Sequence, residues 1–216
     1  MPQPSVGTVT FLFTDVEGST RLVRQLRDRY PAVLEDHRRL VRDAFSRYGG
    51  EEVDTQGDAF FYVFSRARDA AAAAADAQLA LQAHAWPEDA ELRVRMGMHT
   101  GESVMSEERH HGLGVHRAAR IMAAGHGGQI LASQATAAML ADDEVAGVEQ
   151  RELGEFQLKD VDRPEHLYQL DVEGLPATFP PLRTGEAPTA YAGKEEELVE
   201  AAAGARRPLH RRPASS

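Results

Sequence analysis

Phe11–Thr20, read as FLFTDVEGST, is the stretch on which the fold turns. Its first half belongs to a β-branched and aromatic run, Thr8–Thr14, of the kind that forms a buried strand. The run stops at Asp15-Val16-Glu17-Gly18-Ser19-Thr20, where a helix is expected to start with Ser19 or Thr20 near its N-terminus and Leu22 and Leu26 on its inner face. Asp15 would therefore hold a carboxylate at a sheet edge. The amides from Glu17 to Thr20 would lead into a helix N-terminus, where unbonded N–H groups and the macrodipole favour phosphate.

Working outward, Pro31 opens a second helix with Val33, Leu34, Leu40, Val41, Ala44 and Phe45 at helical spacing, stopped by Gly49-Gly50. Glu52–Thr55 and Ala59–Phe64 flank Gln56-Gly57-Asp58 as a hairpin with its tip at Gly57-Asp58. Arg68–Ala85 is an alanine-rich helix ended by Trp86-Pro87, and its small residues permit close approach to a sheet. Leu92–Met98 alternates as a strand, and Val115–Ala124 reads as a helix ended by Gly125. Gln129–Leu131 follows as a strand, and Ser133 caps a short helix through Leu140. Val148–Leu153, Phe156–Lys159 and Leu167–Leu170 are expected to close the sheet. This order predicts an α+β sandwich on a ferredoxin-like core, with a mainly antiparallel sheet flanked by helices. From Glu173 the composition turns to Pro, Gly and Thr, so 173–216 is expected to be a linker and a basic, disordered tail.

Composition narrows the function. The 216 residues contain no cysteine, which removes disulfides, thiolate catalysis and Cys-based zinc sites. No apolar run nears the length that spans a bilayer, and Met1–Gly7 lacks the features of a secretory signal, so a cytoplasmic protein without membrane attachment is expected. A formal net charge of −10 argues against nucleic acid as a partner of the main domain. An acidic protein that accepts a nucleoside triphosphate must recruit divalent metal, so paired carboxylates are the feature to seek. Were the first strand to lie beside the hairpin, Asp15 and Asp58 would converge, and Mg²⁺ or Mn²⁺ bridged to phosphates would relieve their repulsion. Spacing alone leaves a plainer alternative open, in which Asp15 caps a helix and Asp58 is a turn residue.

Four segments in register carry a family resemblance: Phe11–Thr20, Gly57–Phe60 (GDAF), Arg95–Glu102 (RMGMHTGE) and Gly112–Ser133 (GLGVHRAARIMAAGHGGQILAS). They resemble the class III adenylyl and guanylyl cyclases, most of all the bacterial, actinobacterial-like branch, over residues 5–172. That resemblance implies a catalytic domain converting ATP, or GTP, to a 3′,5′-cyclic nucleotide and pyrophosphate in signalling. Asp15 and Asp58 match the metal-binding aspartates for two Mg²⁺ or Mn²⁺ ions, and the Val16 carbonyl would add a ligand. Glu17, Gly18, Ser19 and Thr20 form the phosphate-binding segment, with the amides of Gly18–Thr20 holding phosphate. Arg120 matches the arginine that meets the transition-state phosphate, and His116, four residues earlier on the same side of the helix, stands where the family has asparagine. The family builds its site between two domains, so a head-to-tail homodimer, or a related cyclase-domain partner, is implied. The resemblance also admits a catalytically silent module that senses nucleotide or dimerises.

Three positions depart from the pattern. Asp54 replaces the adenine-reading lysine, Arg109 falls near the partner aspartate, and His116 replaces the asparagine. An Asp/Arg pair could read guanine, with Asp54 accepting from N1–H and the amino group and Arg109 donating to O6. It could instead read adenine, with Arg109 donating to N1 and Asp54 accepting from the amino group, or form a salt bridge across a subunit boundary and read no base. Other candidates are weaker. His110 and His111 with His116 suggest a metal, but adjacent side chains point apart; His99 reads as structural, and Gly125–Gly128 as a turn. Thr189–Leu198 (TAYAGKEEEL) resembles the lead-in to the NTPase domain of larger bacterial transcription regulators.

Overall fold

The computed structural model describes residues 6–87, 90–106, 109–111 and 113–184, with the side chains of Val6 and of 104–111 outside that description. Strand β1 (Val6–Val16) is followed by α1 (Ser19–Leu26), a 3₁₀ turn (Arg27–Arg29) and α2 (Tyr30–Arg47). The hairpin β2 (Glu51–Gln56) and β3 (Ala59–Phe64) leads to α3 (Ala67–Ala83). Then come β4 (Val94–Ser106), β5 (Arg109–His111), α4 (Leu113–Ala124), β6 (Ile130–Ser133), α5 (Gln134–Asp142), β7 (Val148–Phe156) and β8 (Glu165–Val172).

The strands form one sheet in the order β2-β3-β1-β4-β6-β8-β7, with β5 paired to β4. Neighbours are antiparallel except β4 and β6, which run parallel. The expected mainly antiparallel α+β sandwich is therefore what the chain builds. Alternation along β1 divides the core: Leu12 and Val16 face one layer, with Phe45, Val41 and the alanines of α3, while Phe11 and Phe13 face the other, with Val115, Ala118 and Met122 of α4. Burial of such Phe and Leu side chains contributes about 1.5–3 kcal/mol each, so both layers hold the strand in register. Phe13 stacks on Phe61 at 4.4 Å between ring centroids.

Glycine permits the closest approach. A Cβ on Gly97 of β4 would lie 2.2 Å from the Met122 backbone nitrogen, and one on Gly114 would lie 2.7 Å from the Phe11 ring. These two positions seat α4 directly on β1 and β4.

Two local expectations change. β4 runs through His99 and Thr100 to Ser106, because it pairs with β1 from Val16↔Val94 to Val6↔Val104 and with β5 over its last residues. Phe156–Lys159 is not a separate strand: β7 continues to Phe156 across a bulge near Gly154, and a loop follows. Ser133 caps α5 as expected, its Oγ accepting from the Thr136 amide at 3.3 Å. The segment after β8 also differs from a free linker as far as Thr184. The Ala177 carbonyl accepts from Gln169 Nε2 at 2.8 Å and from Arg151. Pro181 O lies 3.0 Å from His126 Nε2, and the Arg183 amide donates to Ala124 O at 2.9 Å. Residues 185–216, including the Thr189–Leu198 motif, lie outside the described residues. Among the described residues, no helix is long and apolar enough to cross a membrane.

Candidate active site

β1 and β3 are adjacent and antiparallel, with Thr14 opposite Phe60. Continued past that pair, the register brings Asp15 and Asp58 to the same end of the two strands. Each is only 3 % exposed. Strand order thus places the two positions at one end of the sheet, the neighbourhood that the hairpin argument expected. The hairpin tip is tied down by α2: Arg38 donates from Nε and Nη2 to the Gly57 carbonyl at 3.0 and 2.5 Å. Gly57 adopts a left-handed φ of 61°, which lets the chain turn there.

Asp15 has a partner that the sequence reading missed. Arg95 lies directly opposite it on β4 and donates to Asp15 Oδ2 from Nη2 at 2.8 Å and from Nε at 3.2 Å. Arg95 Nη1 also donates to the Ala123 carbonyl of α4 at 3.1 Å. Both side chains of this ion pair are almost wholly buried. The signal lay inside the quoted RMGMHTGE segment, but only the β1–β4 register reveals which residue Arg95 faces.

The segment after Asp15 forms the expected strand-to-helix turn. The Glu17 amide donates to Arg93 O at 2.8 Å, and Gly18, in the left-handed region at φ 69°, is the residue before α1. Its carbonyl accepts from the Arg21 and Leu22 amides, so the helix starts one residue earlier in capping terms than Ser19 or Thr20. The amides of Ser19 and Thr20 fall in the first turn, where no carbonyl lies one turn back to receive them. The Glu17 side chain forms an ion pair with Arg183 of the C-terminal segment.

On α4, Val115, Ala118, Ala119 and Met122 are buried while His116 is exposed. Partial burial first, and then the Arg120 charge, lowers the His116 pKa, favouring its neutral form. Arg120 Nη2 donates to Asp160 Oδ2 at 2.7 Å, in the loop between β7 and β8. Asp54 is half-buried on β2 and accepts from the Thr55 amide at 2.9 Å. Arg109 falls within β5, opposite Ser106 of β4, and its side chain, like those of His110 and His111, is outside the described residues. His99 is structural: it is buried, its Nδ1 lies 2.8 Å from Ser133 Oγ, and burial, with a smaller push from Arg117, lowers its pKa to about 4.

A pocket of about 600 Å³ lies behind Glu17, between α3, the segment before β4, and the C-terminal residues Leu175–Arg183, with Leu81, Trp86 and Phe179 in its wall. Glu17 borders it, and neither Asp15 nor Asp58 lines it.

Asp15 and Asp58 are both buried, at the same end of neighbouring strands and close in sequence to turns, and carboxylates are the hard oxygen donors that a divalent cation would take. Comparison with known proteins shows the family. The sequence profile of the Adenylate and Guanylate cyclase catalytic domain matches residues 1–171. The chain belongs to this family, the class III nucleotide cyclases. An uncharacterised protein of Mycobacterium tuberculosis is 35% identical over 185 residues, covering 85% of this chain and 62% of its own length. A receptor-type adenylate cyclase of Trypanosoma equiperdum is 29% identical over 212 residues, covering 79% of this chain and 45% of its own length. This chain thus spans about half to two thirds of those curated relatives. Among solved structures, a Trypanosoma brucei adenylate cyclase in its monomeric state superposes with a TM-score of 0.77 at 27% identity, over 85% of this chain and 96% of that one. An adenylate/guanylate cyclase/hydrolase from Silicibacter pomeroyi superposes with a TM-score of 0.66 at 25% identity, over 78% of this chain and 99% of that one.

Proposed function

We propose that this chain is a cytoplasmic, divalent-cation-dependent nucleotide cyclase that converts ATP, or GTP, to the 3′,5′-cyclic nucleotide and pyrophosphate in signalling. It would act as a head-to-tail homodimer or with a related cyclase-domain partner. The observation that carries the reading is the burial of Asp15 and Asp58 at the shared end of β1 and β3, immediately before the α1 start. In this reading Asp15, Asp58 and the Val16 carbonyl hold Mg²⁺ or Mn²⁺, two per site. The Gly18, Ser19 and Thr20 amides hold the phosphates, with Glu17 beside them. When bound, the cations activate the ribose 3′-hydroxyl and take up charge on the α-phosphate and the leaving pyrophosphate. Arg120 of the facing protomer neutralises the pentavalent phosphate, and its His116 hydrogen-bonds the ribose. Asp54 and Arg109 face the base. The 3′-hydroxyl gives its proton to solvent and its oxygen bonds to the α-phosphorus as the bond to the bridging oxygen breaks, giving pyrophosphate.

A second reading, a silent module that binds nucleotide or a partner without turnover, has its own support. Asp15 and Arg120 both stand in intrachain ion pairs, with Arg95 and Asp160. Purified protein assayed with Mn²⁺ and either ATP or GTP separates the two. Cyclic product lost in Asp15→Ala supports the enzyme; nucleotide binding by calorimetry with no product from either nucleotide supports the silent module.

A further inference from the structure

Beyond β8 the chain returns to the segment that follows Asp15. Leu182 packs against Ile121, Ala124, Leu131, Leu158 and Leu167, the Arg183 amide donates to Ala124 O at 2.9 Å, and Pro181 O lies 3.0 Å from His126 Nε2. These contacts seat residues 181–183 on the end of α4 without using the Arg183 side chain. That side chain reaches Glu17, donating from Nη2 to Oε1, and His126 Nδ1 stands 3.9 Å from the same oxygen. The Glu17 amide is fixed as well, to Arg93 O at 2.8 Å. Glycine at 127 gives the carboxylate its room, since a Cβ there would lie 2.9 Å from Glu17 Oε2. Glu17 is therefore held by three separate pieces of chain, immediately before Gly18.

We infer that Arg183 is a positioning residue for nucleotide binding: it holds and neutralises the Glu17 carboxylate, so that a negative charge beside Gly18–Thr20 does not oppose a triphosphate there. This rests on the reading of that segment as the phosphate-binding one. Because Glu17 adjoins Gly18, its carboxylate lies within about 10 Å of a phosphate held by the segment, no more than about one Debye length at ordinary salt. An unpaired carboxylate at that range repels the phosphates, and a guanidinium bonded to it cancels most of the repulsion. The two side chains are 42 % and 26 % exposed, so the pair adds little to folding stability. Its effect falls on the ligand. The repulsion acts on bound nucleotide and transition state alike, so losing Arg183 raises KM and leaves kcat nearly unchanged.

The test is a double-mutant cycle on the full chain: wild type, Arg183→Gln, Glu17→Gln and the double variant. Each is assayed for cyclic product with Mn²⁺ and ATP or GTP. Each is also titrated by calorimetry with Mn²⁺ and 3′-deoxy-ATP or 3′-deoxy-GTP, which lack the hydroxyl that cyclises. Arg183→Gln is expected to raise KM and Kd about fivefold to tenfold, with kcat within about twofold of wild type. In the Glu17→Gln background the same substitution should change Kd by less than about twofold, because the charge to be neutralised is gone. Arg183→Lys, which keeps the charge, should stay near wild type. A merely structural role would lower Tm and kcat together and would persist in the Glu17→Gln background. An unchanged Kd in Arg183→Gln, or the same loss in both backgrounds, overturns the inference and leaves the phosphate segment standing. Should wild type bind nucleotide without forming product, the cyclase reading falls and the cycle is decided on Kd alone. A wild type that binds no nucleotide brings down the phosphate-segment reading, and the role of Arg183 with it. Arg183→Met, which keeps the apolar stem without the charge, replaces Arg183→Gln should the latter not fold by circular dichroism.

Discussion

At the scale of the residue, the ion pair between Asp15 and Arg95 makes stability and chemistry share a side chain. Neutralising one partner of a buried pair strands the other, at a cost of about 3–5 kcal/mol. Asp15→Asn is therefore expected to lower unfolding free energy by about 3 kcal/mol in urea, besides losing cyclisation; a loss under about 1 kcal/mol would mean that the pair is not formed in solution. His99 gives a pH signature. Its folded pKa, about 4, lies below its unfolded value, because burial beside Ser133 penalises the imidazolium. The unfolded state binds the extra proton, so this contribution is fully present above the unfolded value near 6.5. It is lost as pH falls from there toward about 4, on the order of 3 kcal/mol in all. The Tm of wild type should fall more steeply over that window than the Tm of His99→Asn, and parallel slopes would refute the assignment.

At the scale of the element, α4 and the C-terminal segment carry the expectations. Gly97→Ala would drive a methyl into the Met122 backbone, so α4 must lift from the sheet. A destabilisation of about 1–3 kcal/mol is expected, with loss of activity beyond what stability explains, because Arg120 moves with the helix. Nearly unchanged urea midpoints and activity would show that α4 is not seated this way. The hydrogen bonds of 175–184 to Gln169, Arg151, His126 and Ala124 predict that ending the chain at Val172 lowers Tm measurably, with exposure of the Trp86 pocket raising dye binding. These two elements also mark what could and could not be read from the sequence. The helix pattern Val115–Ala124 and the strands Thr8–Thr14 and Ala59–Phe64 announced themselves, because periodic burial writes itself into residue type. The Asp15–Arg95 contact did not, since it depends on register between strands 80 residues apart. The C-terminal segment resembled a linker because its hydrogen bonds to Gln169, Arg151 and His126 run through the backbone carbonyls of Ala177 and Pro181, which composition cannot report. Asp58 was legible as a hairpin tip, whereas Arg38, which holds that tip from α2, carried no local signal.

At the scale of the whole molecule, the described residues place Asp15 and Asp58 at one end of β1 and β3, while His116 projects from the exposed side of α4. A head-to-tail pair of protomers would unite one chain's aspartates with the other's Arg120 and His116, giving two composite sites. The most direct measurement follows from that arrangement. Asp58→Asn and Arg120→Ala chains, each inactive alone, are co-expressed with different tags and purified as the mixed dimer. One of its two sites then has both halves intact, so cyclic nucleotide formation with Mn²⁺ should return to about half the wild-type rate. A mixed dimer as inactive as either parent, in protein whose wild type turns over ATP or GTP, would contradict a site shared between protomers.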